Sequence, residues 1–369
     1  MNYENLVKPS LLEMPTFRRA FNMKEIMEKY GLTSVIKMAA NENQVGPSKK
    51  AVLAMKQEAE RAYLYPDKQA DLVEAIASKY GVKPENVMLN NGATGVINSI
   101  GETFIMPGDE VIMSSIPYQQ YPIMVRRNEG VTILVPVKED LSHDLEAMLA
   151  AITDKTKLIM ICNPGNPTSV AENPSVLESF LTRVPKNVLV MIDEAYLDFA
   201  TTPGYKKSQI TNITKIPNLM IVRTFSKLYA LAGLRVGFVI SSADVISCLT
   251  RGGTVINVNR IGMAAAIASL EDTEYEIKSY EANKEGKEYL TKKLLSYGWY
   301  VYPSDTNFLY FDTDGYNDSL MEELLKRGII IRKFTLNRIS IGSKRQNEAL
   351  AAMLDEIVTN GVPKIMACC

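Results

Sequence analysis

The sequence predicts an α/β fold, with a mostly parallel central sheet flanked by helices and a smaller α+β unit beside it. Three observations carry this. Short, almost wholly apolar runs recur through the middle of the chain, helical patterns alternate with them, and from about residue 262 a long helical stretch gives way to short strands. With 369 residues, 46% of them hydrophobic, the chain can fill more than one core, since single cores stop growing near about 250–300 residues.

Taken in order, residues 48–62 and 71–80 read as helices. Residues 87–89 read as a strand before a helix starting near Val96. Val111-Ile112-Met113 follows the turn Pro107-Gly108-Asp109, and residues 132–137 are rich in β-branched side chains. Residues 158–162, 188–192, 219–222 and 236–240 are apolar runs of the kind buried on both faces of a parallel sheet. A helix is predicted over 173–183, with Asn173 as cap and Pro174 at the first helical position. Ala264-Ala265-Ala266-Ile267 opens one long helical region reaching Leu295. Strands at 300–302, 308–311, 329–332 and 338–342 follow, before a last helix. The expected organisation is an N-terminal segment (1–47) joining the small unit, a large α/β domain (48–260) and a small α+β domain (261–369).

Charge narrows the function classes. Lys+Arg number 41 against 42 Asp+Glu, and a net charge of -1 gives no electrostatic case for nucleic acid or a membrane surface. No apolar run is long enough for a transmembrane helix, and Met1-Asn2-Tyr3-Glu4-Asn5 lacks the basic-then-apolar pattern of a secretory signal. Cys162 and Cys248 read as buried core thiols, and Cys368-Cys369 as a frayed tail. No cysteine spacing matches a metal site or disulfide framework, so a reducing cytoplasm is expected. The only histidine, His143, reads as a surface residue at a helix start capped by Ser142, which leaves serine-hydrolase and zinc chemistry without its usual parts. No Gly-x-Gly-x-x-Gly follows the first strand, which argues against a dinucleotide-binding dehydrogenase.

Four clusters sit at predicted strand ends, where open α/β sheets bind ligands. Thr224-Phe225-Ser226-Lys227 ends one strand, with Arg235 eight residues beyond the lysine. A lysine there is partly desolvated, which favours the neutral amine that imine chemistry needs, while an arginine's planar fork suits phosphate. Asp193-Glu194-Ala195-Tyr196 ends a second strand. An acid there can hold a proton on a ring nitrogen, and Tyr196 can donate to a ring oxygen. Asn163-Pro164-Gly165-Asn166-Pro167-Thr168 is a rigid turn carrying an amide at Asn166. Asn91-Gly92-Ala93-Thr94-Gly95 offers free backbone N–H groups at a helix N-terminus, although it is not a Walker loop. Alone, each has an ordinary alternative: a solvated loop lysine, a helix-capping aspartate, a plain loop. In combination they supply a phosphate cradle, a ring clamp, a pyridine partner and a lysine.

In this order the clusters resemble pyridoxal-phosphate-dependent (PLP-dependent) fold-type I aminotransferases of class I/II, and the chain is most similar to histidinol-phosphate aminotransferases and close relatives. Asn41-Glu42-Asn43, Tyr65-Pro66-Asp67, Ser226-Lys227, Ala232-Gly233-Leu234-Arg235 and Arg338-Ile339-Ser340-Ile341-Gly342 carry the likeness, which spans about residues 36–351. The resemblance implies PLP as cofactor, with Lys227 binding its aldehyde and then moving protons. It also implies Asp193 on the ring nitrogen, Tyr196 and Asn166 on the ring oxygen, and Tyr118 stacked on the ring. The phosphate would be held by Gly92, Ala93, Thr94, Thr224, Ser226, Arg235 and a partner subunit's Tyr65, which makes the active unit a homodimer. Arg338, assisted by Arg332, would take the substrate anion, with Asn43 beside it.

The implied reaction is transfer of an amino group from a donor, foremost histidinol phosphate, to a 2-oxo acid such as 2-oxoglutarate, with ping-pong kinetics. An aromatic amino acid, arginine or another donor stays open, as does a decarboxylase or cyclase on the same fold. A threonine-phosphate decarboxylase fits Asn41-Glu42-Asn43 poorly, and a PLP-binding regulator would need a basic DNA-binding segment that the chain lacks. Thr94-Gly95 stands where the family usually has two acidic residues, and Pro15-Thr16-Phe17-Arg18-Arg19 lacks the tyrosine–proline–glycine pattern of the family's N-terminal segment.

Overall fold

The computed structural model describes residues 3–12, 14, 22–253, 257–313 and 315–360. Pro15–Arg19 of the N-terminal segment and the Cys368-Cys369 pair lie outside the described residues.

Strand β1 is Ile36–Lys37, and seven strands follow: β2 Val87–Asn91, β3 Glu110–Ser114, β4 Val131–Val135, β5 Thr156–Cys162, β6 Leu189–Asp193, β7 Leu219–Thr224 and β8 Val236–Ser241. These seven form one sheet in the order β2-β8-β7-β6-β5-β3-β4. Only β8 runs antiparallel to its neighbours, β2 and β7. The helices packed around this sheet are α3 Lys49–Ala59, α4 Gln69–Tyr80, α5 Gly92–Phe104, α6 Gln120–Arg127, α7 Leu145–Ala150, α8 Pro174–Arg183, α9 Ala243–Arg251 and α10 Arg260–Leu270, preceded in the chain by α1 Pro9–Leu12 and α2 Met23–Tyr30.

Alternation along the strands explains why the runs are apolar throughout. On β5, Ile159 and Ile161 belong to one apolar cluster, shared with Leu177 and Phe180 of α8. Leu158, Met160 and Cys162 belong to another, shared with Ile97 and Ile100 of α5 and Met124 of α6. Both faces are covered, so both sets of side chains are buried.

A third cluster fills the smaller unit. Its helices are α11 Thr273–Ser296, α12 Asn317–Lys326 and α13 Lys344–Thr359, and its strands are β9 Tyr300–Val301, β10 Phe308–Asp312, β11 Ile329–Ile330, β12 Arg332–Lys333 and β13 Asn337–Ser340. A four-stranded antiparallel sheet runs β12-β13-β10-β9, while β11 pairs in parallel with β1. An early strand is thereby joined to the late part of the chain, and this unit draws on both ends of the sequence.

Several expectations need correcting. The long helical region is two helices, parted at Glu271-Asp272, because Asp272 turns away and caps α11 with its side chain on Tyr275 N. The strand expected over 329–332 divides between two sheets. Helix α5 starts at Gly92 directly after β2 instead of near Val96, and Gly92 makes the turn at φ +73°. His143 is buried, not superficial, with Nε2 3.1 Å from Cys162 O, and the cap of α7 is Asp144 rather than Ser142. Cys248 is exposed, since α9 turns Ile246 and Leu249 inward. Among the described residues no helix is long and apolar enough to cross a membrane, and no cluster of side chains suits a metal.

Candidate active site

The carboxyl ends of β2, β5, β6 and β7 lie along one edge of the sheet, and the reversed β8 begins there. Register fixes the neighbours: Asp193 pairs with Cys162 and Val222, Thr224 with Gly237, and Asn91 with Val236. Arg235, just before β8, therefore meets residues that follow the other strands. A cavity of about 220 Å3 opens at this edge, lined by Thr94, Tyr118, Asp193, Tyr196, Lys227 and Arg235 among others. It shares Tyr118, Asn166, Tyr196 and Lys227 with an adjoining cavity of about 350 Å3 that reaches Arg332 and Arg338.

Lys227 Nζ donates to Asn41 O at 3.0 Å and Ala40 O at 3.2 Å. Burial, and then the positive charge of Arg338, push this amine down to about 7. Asp193 is 3% exposed; its Oδ2 accepts from Tyr121 OH at 3.0 Å and its Oδ1 from Ala195 N at 3.1 Å. Burial pushes its carboxyl up to about 6, against the pull of those two donors and of Lys227. Tyr196 OH accepts from Asn41 Nδ2 at 3.1 Å and Asn166 Nδ2 at 3.2 Å. Burial holds the Tyr196 phenol well above its ordinary range, so with two donors already received it keeps its own proton to give.

The cradle beside them is made from backbone and small hydroxyls. Helix α5 has no side-chain cap at Asn91, which leaves its first N–H groups free. A Cβ on Gly92 would come within 2.5 Å of Arg235 Nη2, so only glycine admits that guanidinium. Arg235 Nη1 donates to Ala232 O at 3.0 Å and lies 3.4 Å from Ser226 Oγ, and Thr224 Oγ1 donates to Ser226 Oγ at 3.0 Å. Tyr118 lines the cavity with Thr94 and meets Tyr121 edge-on, with ring centroids 5.5 Å apart.

Arg338, on β13, reaches across from the small unit. Nη1 donates to Asn166 Oδ1 at 2.6 Å and Nη2 to Ala39 O at 2.8 Å, while Nε is buried without a partner. Burial lowers this guanidinium to about 10, which leaves it cationic at neutral pH.

The structure thus gathers Lys227, Asp193, Tyr196, Asn166, Tyr118, Ala93, Thr94, Thr224, Ser226, Arg235, Arg332 and Arg338 around the two cavities, with Gly92 against the Arg235 guanidinium. One expected residue is elsewhere, and another is one that the resemblance assigns to a partner's site. Asn43 Nδ2 is spent on Lys227 O, Leu228 O and Ser279 Oγ, and the residue lines a separate cavity of about 520 Å3 that includes neither Lys227, Asp193 nor Arg338. Tyr65 is 83% exposed and lines neither cavity of its own chain. Two others were overlooked. Asn41 touches Tyr196 and Lys227 and is held by Ser340 Oγ; it is the other asparagine of the motif in which Asn43 was singled out. Tyr121, on α6, holds Asp193 and follows Tyr118 by three residues, a spacing visible in the sequence.

An amine near its neutral form, a buried acid, an aromatic wall and an anion cradle meeting at the carboxyl edge of such a sheet define a pyridoxal-phosphate enzyme of the fold-type I class. Residues 33–354 match the family described as aminotransferase class I and II, and the chain belongs to that family. It is 39% identical to histidinol-phosphate aminotransferase of Moorella thermoacetica, over 91% of this chain and 89% of that one. It is 36% identical to the Brevibacillus brevis protein of the same name, over 96% and 99%. The solved structure of histidinol-phosphate aminotransferase from Sinorhizobium meliloti, in complex with pyridoxal-5'-phosphate, superposes with a TM-score of 0.89 at 27% identity, covering 96% of this chain and 98% of that one. The protein is a PLP-dependent aminotransferase. Its residues fit that cofactor: the uncapped helix end and Arg235 suit a phosphate, Asp193 a basic ring nitrogen, and Lys227 an aldehyde.

Proposed function

We propose that this enzyme takes the amino group of histidinol phosphate and passes it to a 2-oxo acid such as 2-oxoglutarate, each substrate occupying the same site in turn. The carrying observation is that Arg338, still cationic at neutral pH, lines the same cavity as Lys227 and Arg332, so an anionic substrate would be drawn to the reactive amine. The naming of several relatives that match over most of the chain supports the choice of donor.

PLP supplies an aldehyde that condenses with amines and a ring that draws electrons from the carbon bearing the amino group. Lys227 would hold that aldehyde between turnovers. In turnover it would take the proton from the donor's amine-bearing carbon, a task suited to an amine that burial lowers to about 7. Asp193 holds a proton at the ring nitrogen. Tyr196, kept protonated, donates to the ring oxygen with Asn166 beside it, and Tyr118 covers one ring face. Gly92 to Thr94, Thr224, Ser226 and Arg235 hold the phosphate. The exposed Tyr65 serves the phosphate of a second copy of the chain, which makes the working unit a homodimer. For the domains we propose a large α/β unit and a small one built from both chain ends. Met263, Ala265 and Ala266 of α10 lie in a core of the large sheet, which supports a junction at Glu271-Asp272 instead of residue 260. A cytoplasmic location is proposed on the free thiols of Cys162 and Cys248.

The test is an amino-donor screen on the PLP-loaded protein, following loss of the absorbance of the lysine-bound cofactor. Histidinol phosphate should discharge it fastest and 2-oxoglutarate should restore it. Reaction of an aromatic amino acid, arginine or glutamate where histidinol phosphate gives none would reject this donor, and release of carbon dioxide without that cycle would mark a decarboxylase.

A further inference from the structure

A buried ion cluster lies away from the cavities. Arg260, the first residue of α10, is 4% exposed. Its Nη1 donates to Glu58 Oε2 on α3 at 2.8 Å, while Nη2 donates to Tyr65 O and to Asp67 Oδ1, each also at 2.8 Å. One guanidinium thereby bridges a helix to the backbone and side chain of a single loop. A cation at a helix N-terminus works against the helix dipole, and a buried one also loses its hydration. Three acceptors, two of them carboxylates, offset these costs and account for the arginine. What the loop presents is equally unusual: Tyr63 is 84% exposed and Tyr65 83%, two aromatic rings standing in solvent above a rigidly tied base. The same helix end also touches the phosphate side of its own site, since the cap residue Asn259 donates from Nδ2 to Leu234 O at 2.7 Å, next to Arg235.

We propose that Arg260 is a positioning residue for the neighbouring subunit's active site. It fixes the Tyr65 loop so that the tyrosine hydroxyl meets the partner's cofactor phosphate already oriented, and this rests on the reading that Tyr65 acts in trans. Lysine cannot replace it, because an ammonium is a point charge without the fork that spans Glu58, Tyr65 O and Asp67 together.

The experiment compares Arg260→Lys, Tyr65→Phe and the double variant as full-length protein. Arg260→Lys keeps a cation beside buried Glu58, and Asp67→Asn loosens the same clamp from its more exposed side should the lysine variant fold poorly. The readouts are the PLP dissociation constant of the apo-protein, measured by absorbance titration, and the oligomeric state by sedimentation. Arg260→Lys is expected to weaken PLP binding about tenfold, as loss of an outer orienting partner does elsewhere. Tyr65→Phe should weaken it similarly, and the double variant should be little worse than either. In mixed dimers of Lys227→Ala and Arg260→Lys chains, the one intact lysine receives its tyrosine from a chain with intact Arg260, so PLP affinity there should return to the wild-type value. Effects that multiply in the double variant, or a defect that persists in the mixed dimer, overturn the proposal while leaving Tyr65 in its role. A Tyr65→Phe variant with unchanged PLP affinity overturns both.

Discussion

At the level of single residues, the site depends on two groups that burial moves in opposite directions. Lys227 is lowered to about 7 and Asp193 raised to about 6. Both shifts follow from the removal of water, which disfavours the charged form of either group. For Lys227 the sign is direct: in its proposed role the neutral amine is the nucleophile, so PLP association with the apo-protein should accelerate as pH rises through about 7 and then level off. Stopped-flow absorbance checks this; a rate still climbing at the ordinary lysine range would contradict it. Asp193 depends in turn on Tyr121, whose hydroxyl stabilises the carboxylate. Tyr121→Phe removes that donor, so the carboxyl should titrate higher still, which the infrared carboxyl band of the apo-protein would report. A hydrogen bond to a charged group contributes about 1.5–3 kcal/mol, enough to make the displacement measurable.

At the level of elements, the strand ends deliver the site and a buried ion pair ties two of them together. Glu194 follows β6 and has no exposed side-chain area; Arg223 on β7 lies 3.5 Å from it and 2.7 Å from Asp198. Arg223→Leu should destabilise the protein by about 3–5 kcal/mol, because it strands a buried carboxylate. Burial already raises Glu194, and losing the arginine raises it further, so the penalty should shrink as pH falls and the acid takes up a proton. Urea midpoints across pH would show this, and a loss independent of pH would point to packing instead. The elements also show what was legible in the sequence. The runs at β5, β6 and β7 were readable because each is buried on both faces, and the lysine, aspartate and asparagine turns were then placed by the rule that ligands gather at strand ends. The division of residues 329–332 was not readable, since no local pattern says which sheet a two-residue strand will join. Cys248 was misjudged by taking neighbouring apolar residues as burial, although the spacing of Ile246 and Leu249 held the answer. The choice of Asn43 over Asn41 could not be made from composition: both are asparagines of one motif, and only the fold turns Asn43 into the framework and Asn41, at φ +54°, toward Tyr196.

On the scale of the whole molecule, the cavity beside Lys227 is lined in part by a residue from the opposite unit. Arg338 stands on β13 of the small sheet, yet its guanidinium is bound to Asn166, which follows a strand of the large sheet, and to Ala39 near the N-terminal strand. Three stretches far apart in sequence therefore set where one positive charge lies. That charge has an unused donor, Nε, and rests over the rings of Phe308 and Phe334 at 5.2 Å and 4.9 Å from their centroids. Nη1 and Nη2 each carry a second hydrogen beyond their bonds to Asn166 and Ala39, so an anion in the cavity can gain a charge-assisted hydrogen bond without the arginine giving up those ones. Arg338→Gln keeps hydrogen-bonding capacity but removes the cation. If Arg338 serves anion binding alone, KM for both the anionic donor and the 2-oxo acid should rise about ten- to a hundredfold, in line with about 1.5–3 kcal/mol for a hydrogen bond to a charge, with kcat little altered. If it also steers the substrate toward Lys227, kcat falls as well. Steady-state kinetics with each substrate varied in turn separates these outcomes, and an unchanged KM for both would remove Arg338 from substrate binding and leave it a tie between the two units.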